Sequence, residues 1–200
     1  MKKPSHFITI VYVWEVHKMT NDKTKRVVTL SMFTALVIVL QVVATFVNFG
    51  GFPITLTLVP IIIAGAVYGI PVGAFMGLTF GVVVALMVVV GADPSGATLL
   101  SLHPVITISA CILKGILAGA VSAAIYHGLK EKNEKLAIIL AAAAAPIVNT
   151  GTLYIALILF FDATFAAMLG AFMSVNFLIE LAINIIIAPS LLRVVHKKIQ

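Results

Sequence analysis

Long uncharged runs dominate the pattern of hydrophobic and polar positions along the chain. After Arg26 no charged residue appears until Asp93, an interval of 66 residues, and the 26 residues from Leu136 to Phe161 also carry no charge. An α-helix of ~20 apolar residues spans the hydrocarbon core of a bilayer, so the first interval is long enough for more than one span. The pattern predicts a protein built from transmembrane helices.

Clusters of glycine and proline divide the uncharged runs into separate helices. The segments NFGGFP (48–53) and YGIPVG (68–73) interrupt the long N-terminal interval, because both residue types favour turns. We therefore predict an all-α membrane protein with six transmembrane helices. The predicted spans cover residues 26–48, 56–70, 72–90, 104–128, 136–161 and 169–192. The second is short enough to be tilted or partly re-entrant.

The basic residues flank the predicted spans on one side. Positive charges concentrate on the cytoplasmic loops of multi-pass proteins. Here they lie before the first span, after the last span and in the Lys130–Lys135 loop. The opposite loops carry Asp93 and Asp162 as their charged residues. The distribution predicts that the N and C termini are both cytoplasmic.

Composition agrees with a membrane protein and excludes several other classes. Hydrophobic residues make up 62% of the 200 residues, and the mean hydropathy is +1.18. The net charge of +6 therefore reflects loop topology and does not indicate nucleic-acid binding. The single cysteine, Cys111, excludes an internal disulfide. No phosphate-binding loop ending in GK[ST] and no HExxH motif occurs, so we predict no enzyme activity, cofactor or metal in this chain.

Residues 1–18 differ in character from the rest. Two lysines precede a short apolar stretch that Glu15 and His17 interrupt, and no small-residue cleavage site of a secretory signal follows. Met19 begins a more conventional start. We interpret residues 1–18 as a dispensable extension or a result of start-codon choice, with an interfacial anchor as the alternative. Residues 19–200 are predicted to form a single six-helix domain.

Polar residues inside the spans are the candidates for function, because lipid does not solvate them. At ~100° per residue they form stripes on three helices. The stripes consist of His103, Thr107 and Lys114 on span four, Asn149, Thr150 and Tyr154 on span five, and Asn176, Glu180 and Asn184 on span six. We predict that they face one cavity that opens outward beneath the connections 48–57 and 91–104. Two alternatives are a structural Lys114–Glu180 ion pair and simple hydrogen bonding between helices.

Small residues recur at every fourth position of several spans. The glycines of this kind are Gly65, Gly69, Gly73, Gly77 and Gly81 around the Pro71 turn, and Gly115 and Gly119 in span four. This spacing lets helix backbones approach closely, so we predict helix packing here and not ligand contact. Ser31 and Ala35 form a similar pair in span one, which packs within the bundle or docks another membrane subunit.

Several of these segments resemble one family of membrane proteins. Over residues 24–196 the chain is similar to the substrate-binding S components of energy-coupling factor (ECF) vitamin transporters. The motifs VTLSMFTALVIVLQ, LKGILAGAVSAAIY, PIVNTG and VNFLIELAIN carry the resemblance, and the last two look most like the pantothenate-type S component. The resemblance implies a high-affinity vitamin-binding subunit in a bacterial cell membrane. It also implies association with a membrane coupling subunit and two ATPase subunits that use ATP.

The resemblance also suggests roles for individual residues. Family members dock the coupling subunit through an AxxxA motif on the first helix, which corresponds here to Ser31 and Ala35. For a pantothenate ligand, Lys114 is expected to neutralise the carboxylate. The amide and hydroxyls would bind Asn149, Thr150 and Asn176, Glu180 would orient Lys114 or accept from a hydroxyl, and Tyr154, His103 and Asn184 would complete the site. The alternatives are another water-soluble vitamin or precursor, a stand-alone secondary transporter of a small organic acid, and a structural membrane protein.

Overall fold

Helices account for almost all of the chain that the structure describes. The structure, a computed structural model, describes residues 6–46, 48–49, 52–53 and 56–199. Its helices are α1 (His6–Phe46), α2 (Leu58–Tyr68), α3 (Ile70–Val89), α4 (Pro94–Leu102), α5 (Pro104–Leu129), α6 (Glu134–Phe160) and α7 (Ala163–Ile199). Two short strands, β1 (Asn48–Phe49) and β2 (Phe52–Pro53), pair antiparallel between α1 and α2. The predicted all-helical fold is confirmed apart from this small hairpin.

Five of the described helical segments are long and apolar enough to cross a membrane. They are Lys23–Phe46, Ile70–Val89, Pro104–Leu129, Glu134–Phe160 and Leu169–Val195. The segment predicted as the second span is instead the 11-residue α2. At 1.5 Å per residue it measures only about 16 Å, against ~30 Å for the hydrocarbon core. Residues 58–66 of α2 are all buried, so this helix fills the interior of the bundle.

The first helix is continuous through the predicted domain start. α1 begins at His6 and passes Met19 without interruption, giving a helix about 60 Å long at 1.5 Å per residue. Residues 1–5 lie outside the described residues, as do the side chains of residues 6–22. The interpretation of residues 1–18 as an extension stays a prediction.

Close contact between glycine faces holds α3 against α5. A Cβ atom built on Gly73 would lie 2.5 Å from the carbonyl oxygen of Gly119, and one built on Gly77 would overlap the carbonyl of Gly115. The predicted packing role is therefore confirmed for these glycines. Gly69 has a different role, because its φ of +101° places it in the turn between α2 and α3. Residues other than glycine rarely adopt that conformation.

The connection between α3 and α5 contains a helix that the sequence pattern did not predict. Asp93 caps α4, since its Oδ1 accepts a hydrogen bond of 3.1 Å from the backbone N–H of Gly96. Pro94 occupies the first turn, where its missing N–H costs nothing. The helix ends at Leu102 because Pro104 disfavours helical geometry at His103. The predicted loop at this end of the bundle is thus an ordered helix that covers the helix ends.

Candidate substrate-binding site

A polar cavity lies beneath α4, enclosed by α1, α3, α5, α6 and α7. Its volume is about 80 Å³, which at roughly 30 Å³ per water in the liquid accommodates about two or three waters. The polar residues that line it are Gln41, Asp93, Thr107, Lys114, Asn149, Thr150, Asn176 and Glu180. Its apolar wall includes Phe80, Val84, Leu99 and Leu153. The lining of the cavity therefore combines a mainly apolar wall with a few convergent polar groups, as ligand sites do.

The cavity brings together most of the polar residues predicted from the sequence. Five of the eight predicted substrate-binding residues line it, namely Lys114, Asn149, Thr150, Asn176 and Glu180. They come from α5, α6 and α7, the helices that carry the three predicted stripes. The structure thus shows that part of each stripe lines one cavity. Their contact with a ligand stays a prediction.

The other three predicted residues point elsewhere. His103 is exposed at the start of α5, where its ring meets Phe161 edge-on at a centroid distance of 5.1 Å. Tyr154 packs its ring against Gly170 of α7. Asn184 is fully buried, and its Nδ2 donates a hydrogen bond of 2.7 Å to the backbone carbonyl of Glu180. None of them lines the cavity, so in this structure they stabilise helix contacts.

Lys114 supplies the positive charge of the cavity. Its Nζ lies 5.8 Å from the centre of the Phe80 ring, a distance that allows a cation–π interaction. Phe80 is only 1% exposed, so the packed core fixes the ring and limits where the ammonium can go. The ion pair between Lys114 and Glu180 stays a prediction. The ammonium is therefore oriented before an anionic ligand enters the cavity.

Asn149 presents a buried acceptor without a partner. Its side chain is 5% exposed, and within the described part of the chain its Oδ1 accepts no hydrogen bond. Leaving a buried acceptor unsatisfied costs about 1–3 kcal/mol. Since the side chain lines the cavity, a bound water or a donor group of a ligand would remove this cost. The cavity therefore presents an open acceptor to any molecule with O–H or N–H groups.

Sequence patterns missed two polar residues of the cavity. Gln41 of α1 is 1% exposed and lines the cavity wall, although the pattern of α1 predicted only helix packing or subunit docking. Asp93 is 8% exposed and lines the cavity while it caps α4. The available signals were an isolated glutamine inside an apolar helix and an Asp-Pro pair before a helix start. With Asp93 and Glu180, the part of the cavity wall that the structure describes has two carboxyl groups beside one ammonium.

The fold and the cavity together define a class of protein. A bundle of membrane-crossing helices that encloses a polar cavity with one ammonium, carboxamides and carboxyl groups is suited to binding a small polar molecule within the membrane. Among the residues described by the structure, no cluster of side chains is suitable for holding a metal ion. The protein is therefore a multi-pass membrane protein with a small-molecule site.

Comparison with known proteins identifies the family. Residues 25–192 match the family of substrate-specific components of ECF transporters, and the chain belongs to this family. Over 194 residues it is 28% identical to the pantothenic acid transporter PanT of Lactococcus lactis subsp. cremoris (strain MG1363), covering 90% of this chain and 97% of that protein. No solved structure matches the chain. The resemblance inferred from the sequence motifs is confirmed, and the chain is a substrate-binding transport subunit, not itself an enzyme.

Proposed function

We propose that this chain captures pantothenate outside a bacterial cell as the binding subunit of an ATP-driven ECF importer. The observation that carries the proposal is the placement of Lys114, Asn149 and Glu180 around one cavity in a member of this family. Similarity to the pantothenic acid transporter PanT supports the choice of vitamin. The partners are a membrane coupling subunit and two ATPase subunits, which use the ATP, and this chain needs no cofactor of its own.

The chemistry of pantothenate matches the groups that line the cavity. The ligand carries one carboxylate, one amide and two hydroxyls on a compact branched skeleton. Lys114 neutralises the carboxylate, and the Oδ1 of Asn149 accepts from a ligand hydroxyl or amide N–H. Thr150 and Asn176 complete the polar contacts, while Glu180 and Asp93 accept from hydroxyls. The cavity is small for the whole molecule, so binding requires α4 or nearby side chains to move outward.

Basic residues give the proposed orientation in the cell membrane. Arg26, the Lys130–Lys135 loop and Arg193 lie at the end of the bundle opposite α4. Because positive charge favours cytoplasmic loops, this supports a cytoplasmic location for that end. The cavity under α4 then faces the outside, where the vitamin is captured. In this arrangement α2 serves as a sixth, incomplete membrane segment, and both termini are cytoplasmic.

Direct binding of pantothenate to the purified chain tests the proposal. Equilibrium dialysis with labelled pantothenate in detergent should show saturable binding that unlabelled pantothenate displaces. Biotin, thiamine and riboflavin at the same concentration serve as matched competitors, and they should displace little of the label. Binding of one of these vitamins in place of pantothenate would overturn the substrate assignment, and binding of none would overturn the proposed function.

Pantothenate is expected to protect Cys111 from a small thiol reagent. Cys111 lines the cavity and is the single cysteine of the chain. Thiol modification of the unaltered protein therefore reports on access to the cavity alone. Methyl methanethiosulfonate should modify Cys111 several-fold more slowly when pantothenate is bound, because the ligand fills the route to the thiol. Mass spectrometry of the intact chain measures the rate. Equal rates with and without a saturating ligand would show that pantothenate binds elsewhere.

Bulky substitutions at Ser31 and Ala35 are expected to weaken docking of the coupling subunit. Both residues are exposed on α1, and the hydroxyl of Ser31 donates to the backbone carbonyl of Val27 at 3.0 Å. Ser31 therefore presents a small, internally satisfied side chain, much as alanine would. Ala35→Leu should reduce co-purification with the coupling subunit and leave pantothenate binding unchanged. Ile158→Phe, on the exposed face of α6, is the control, and equal co-purification of both variants would refute this docking surface.

A further inference from the structure

Gln41 lines the cavity, and none of the roles proposed above for the cavity residues includes it. It is the one residue that α1 contributes to the cavity lining within the described chain, and its side chain is 1% exposed. Residues around it in α1, such as Val39 and Val43, are more than half exposed. A carboxamide turned inward from an otherwise apolar helix is costly unless its groups are satisfied. This placement points to a function for its polar atoms.

A hydrogen bond from Thr57 orients the Gln41 amide. The Oγ1 of Thr57 donates to its Oε1 at 3.1 Å, and Thr57 is fully buried just before α2. The oxygen end of the carboxamide is therefore occupied by the protein. The nitrogen end carries two N–H donors, and no acceptor among the described residues pairs with it. The cavity beside it is where an acceptor of a bound molecule would lie.

The balance of donors and acceptors in the cavity shows what Gln41 adds. Asp93 and Glu180 offer carboxyl oxygens, and the Oδ1 of Asn149 is a further acceptor. Lys114 supplies a charged donor that suits a carboxylate, and Asn149, Thr150 and Asn176 carry neutral donors on the α6 and α7 side. A ligand amide also has a carbonyl oxygen, which needs a neutral donor when it is buried. Gln41 offers such a donor from the α1 side of the cavity.

We propose that Gln41 is a specificity-determining residue that donates a carboxamide N–H to the amide carbonyl oxygen of the bound ligand, with Thr57 as its positioning residue. The inference rests on the proposed function, since it takes pantothenate as the ligand. It assigns a ligand contact to α1, the helix that also carries Ser31 and Ala35. The site thereby selects small acids that contain an amide over acids of similar size that lack one.

Substitution of Gln41 tests the inference. Gln41→Glu keeps the size of the side chain but removes both N–H donors, and Gln41→Leu removes all polarity. Each should bind pantothenate about tenfold or more weakly, as expected for a ligand carbonyl left without its donor. Thr57→Val keeps Gln41 but removes the hydrogen bond that orients its amide. This variant should bind pantothenate several-fold more weakly than the wild type. Val43→Ala, on the exposed face of α1, should bind like the wild type.

A change in the ligand separates a direct contact from a structural effect. Thiopantothenate, in which sulfur replaces the amide oxygen, is a weaker acceptor and should bind the wild type less tightly than pantothenate. Gln41→Leu should discriminate less between the two ligands, because the donor is gone. The inference would be wrong if the wild type and Gln41→Leu discriminated equally between the two ligands, or if Gln41→Glu bound pantothenate with unchanged affinity. Either result would leave the proposed function intact. Failure of the wild type to bind pantothenate would overturn the proposed function and this inference with it.

Discussion

Replacing Lys114 with alanine is expected to weaken pantothenate binding by roughly 30- to 4,000-fold. Truncating one member of a desolvated charge pair costs about 2–5 kcal/mol, and each ~1.4 kcal/mol is a factor of ten in Kd. Among the described residues, Lys114 is the single ammonium in the cavity wall, and the buried Phe80 ring lies 5.8 Å from it. Without it, the ligand carboxylate would enter a cavity that already contains the carboxyl groups of Asp93 and Glu180.

The ligand itself supplies the sharpest control for Lys114. Pantothenol replaces the carboxylate with an alcohol, so it should bind wild type and Lys114→Ala with nearly equal affinity. Isothermal titration of both ligands against both proteins forms a double-mutant cycle that isolates the charge interaction. Lys135→Ala, an exposed lysine at the other end of the bundle, should behave as wild type. If Lys114→Ala weakened both ligands equally, its role would be structural and the assignment to the carboxylate would be wrong.

Helical periodicity predicted most of the polar cavity residues on α5, α6 and α7. Lipid excludes unsatisfied polar groups, so a polar stripe on a membrane helix must face the protein interior. This constraint alone directs Lys114, Asn149 and Glu180 inward. It does not tell whether an inward-facing polar side chain lines the cavity or packs against a neighbouring helix. Tyr154 lies one turn from Thr150 and still packs on Gly170, because the contact that it makes depends on how α6 and α7 are placed.

The features that sequence patterns missed depend on single residues and on tertiary packing. Gln41 belongs to no stripe, and α1 alone does not show that its inner face reaches the cavity. The helix α4 depends on the Asp93 cap and the two flanking prolines, and its contribution to the cavity becomes visible only when it lies over α5. The second predicted span stays unconfirmed for a related reason. Hydropathy does not distinguish a short helix buried in protein from one that crosses lipid.

Replacing Gly119 with valine is expected to prevent stable folding of the bundle. A Cβ at Gly119 would overlap the backbone carbonyl of Gly73 and lie 3.1 Å from the side chain of Ile61. Overpacking against side chains costs about 1–3 kcal/mol. Here the obstacle is the backbone of α3, which cannot change rotamer. The substitution must therefore separate α3 from α5, and the cavity that both helices help to enclose should be lost with the fold.

A second glycine of the same helix controls for the effect of valine on helix formation. Gly128 lies in the last turn of α5, and a Cβ there would meet no atom within 4 Å. Gly128→Val introduces the same side chain into the same helix, so any difference from Gly119→Val reports on the contact with α3. We expect Gly128→Val to elute as a single peak after detergent extraction and to bind pantothenate, while Gly119→Val aggregates. A monodisperse Gly119→Val protein with a wild-type melting temperature would mean that α3 and α5 do not pack through their glycine faces.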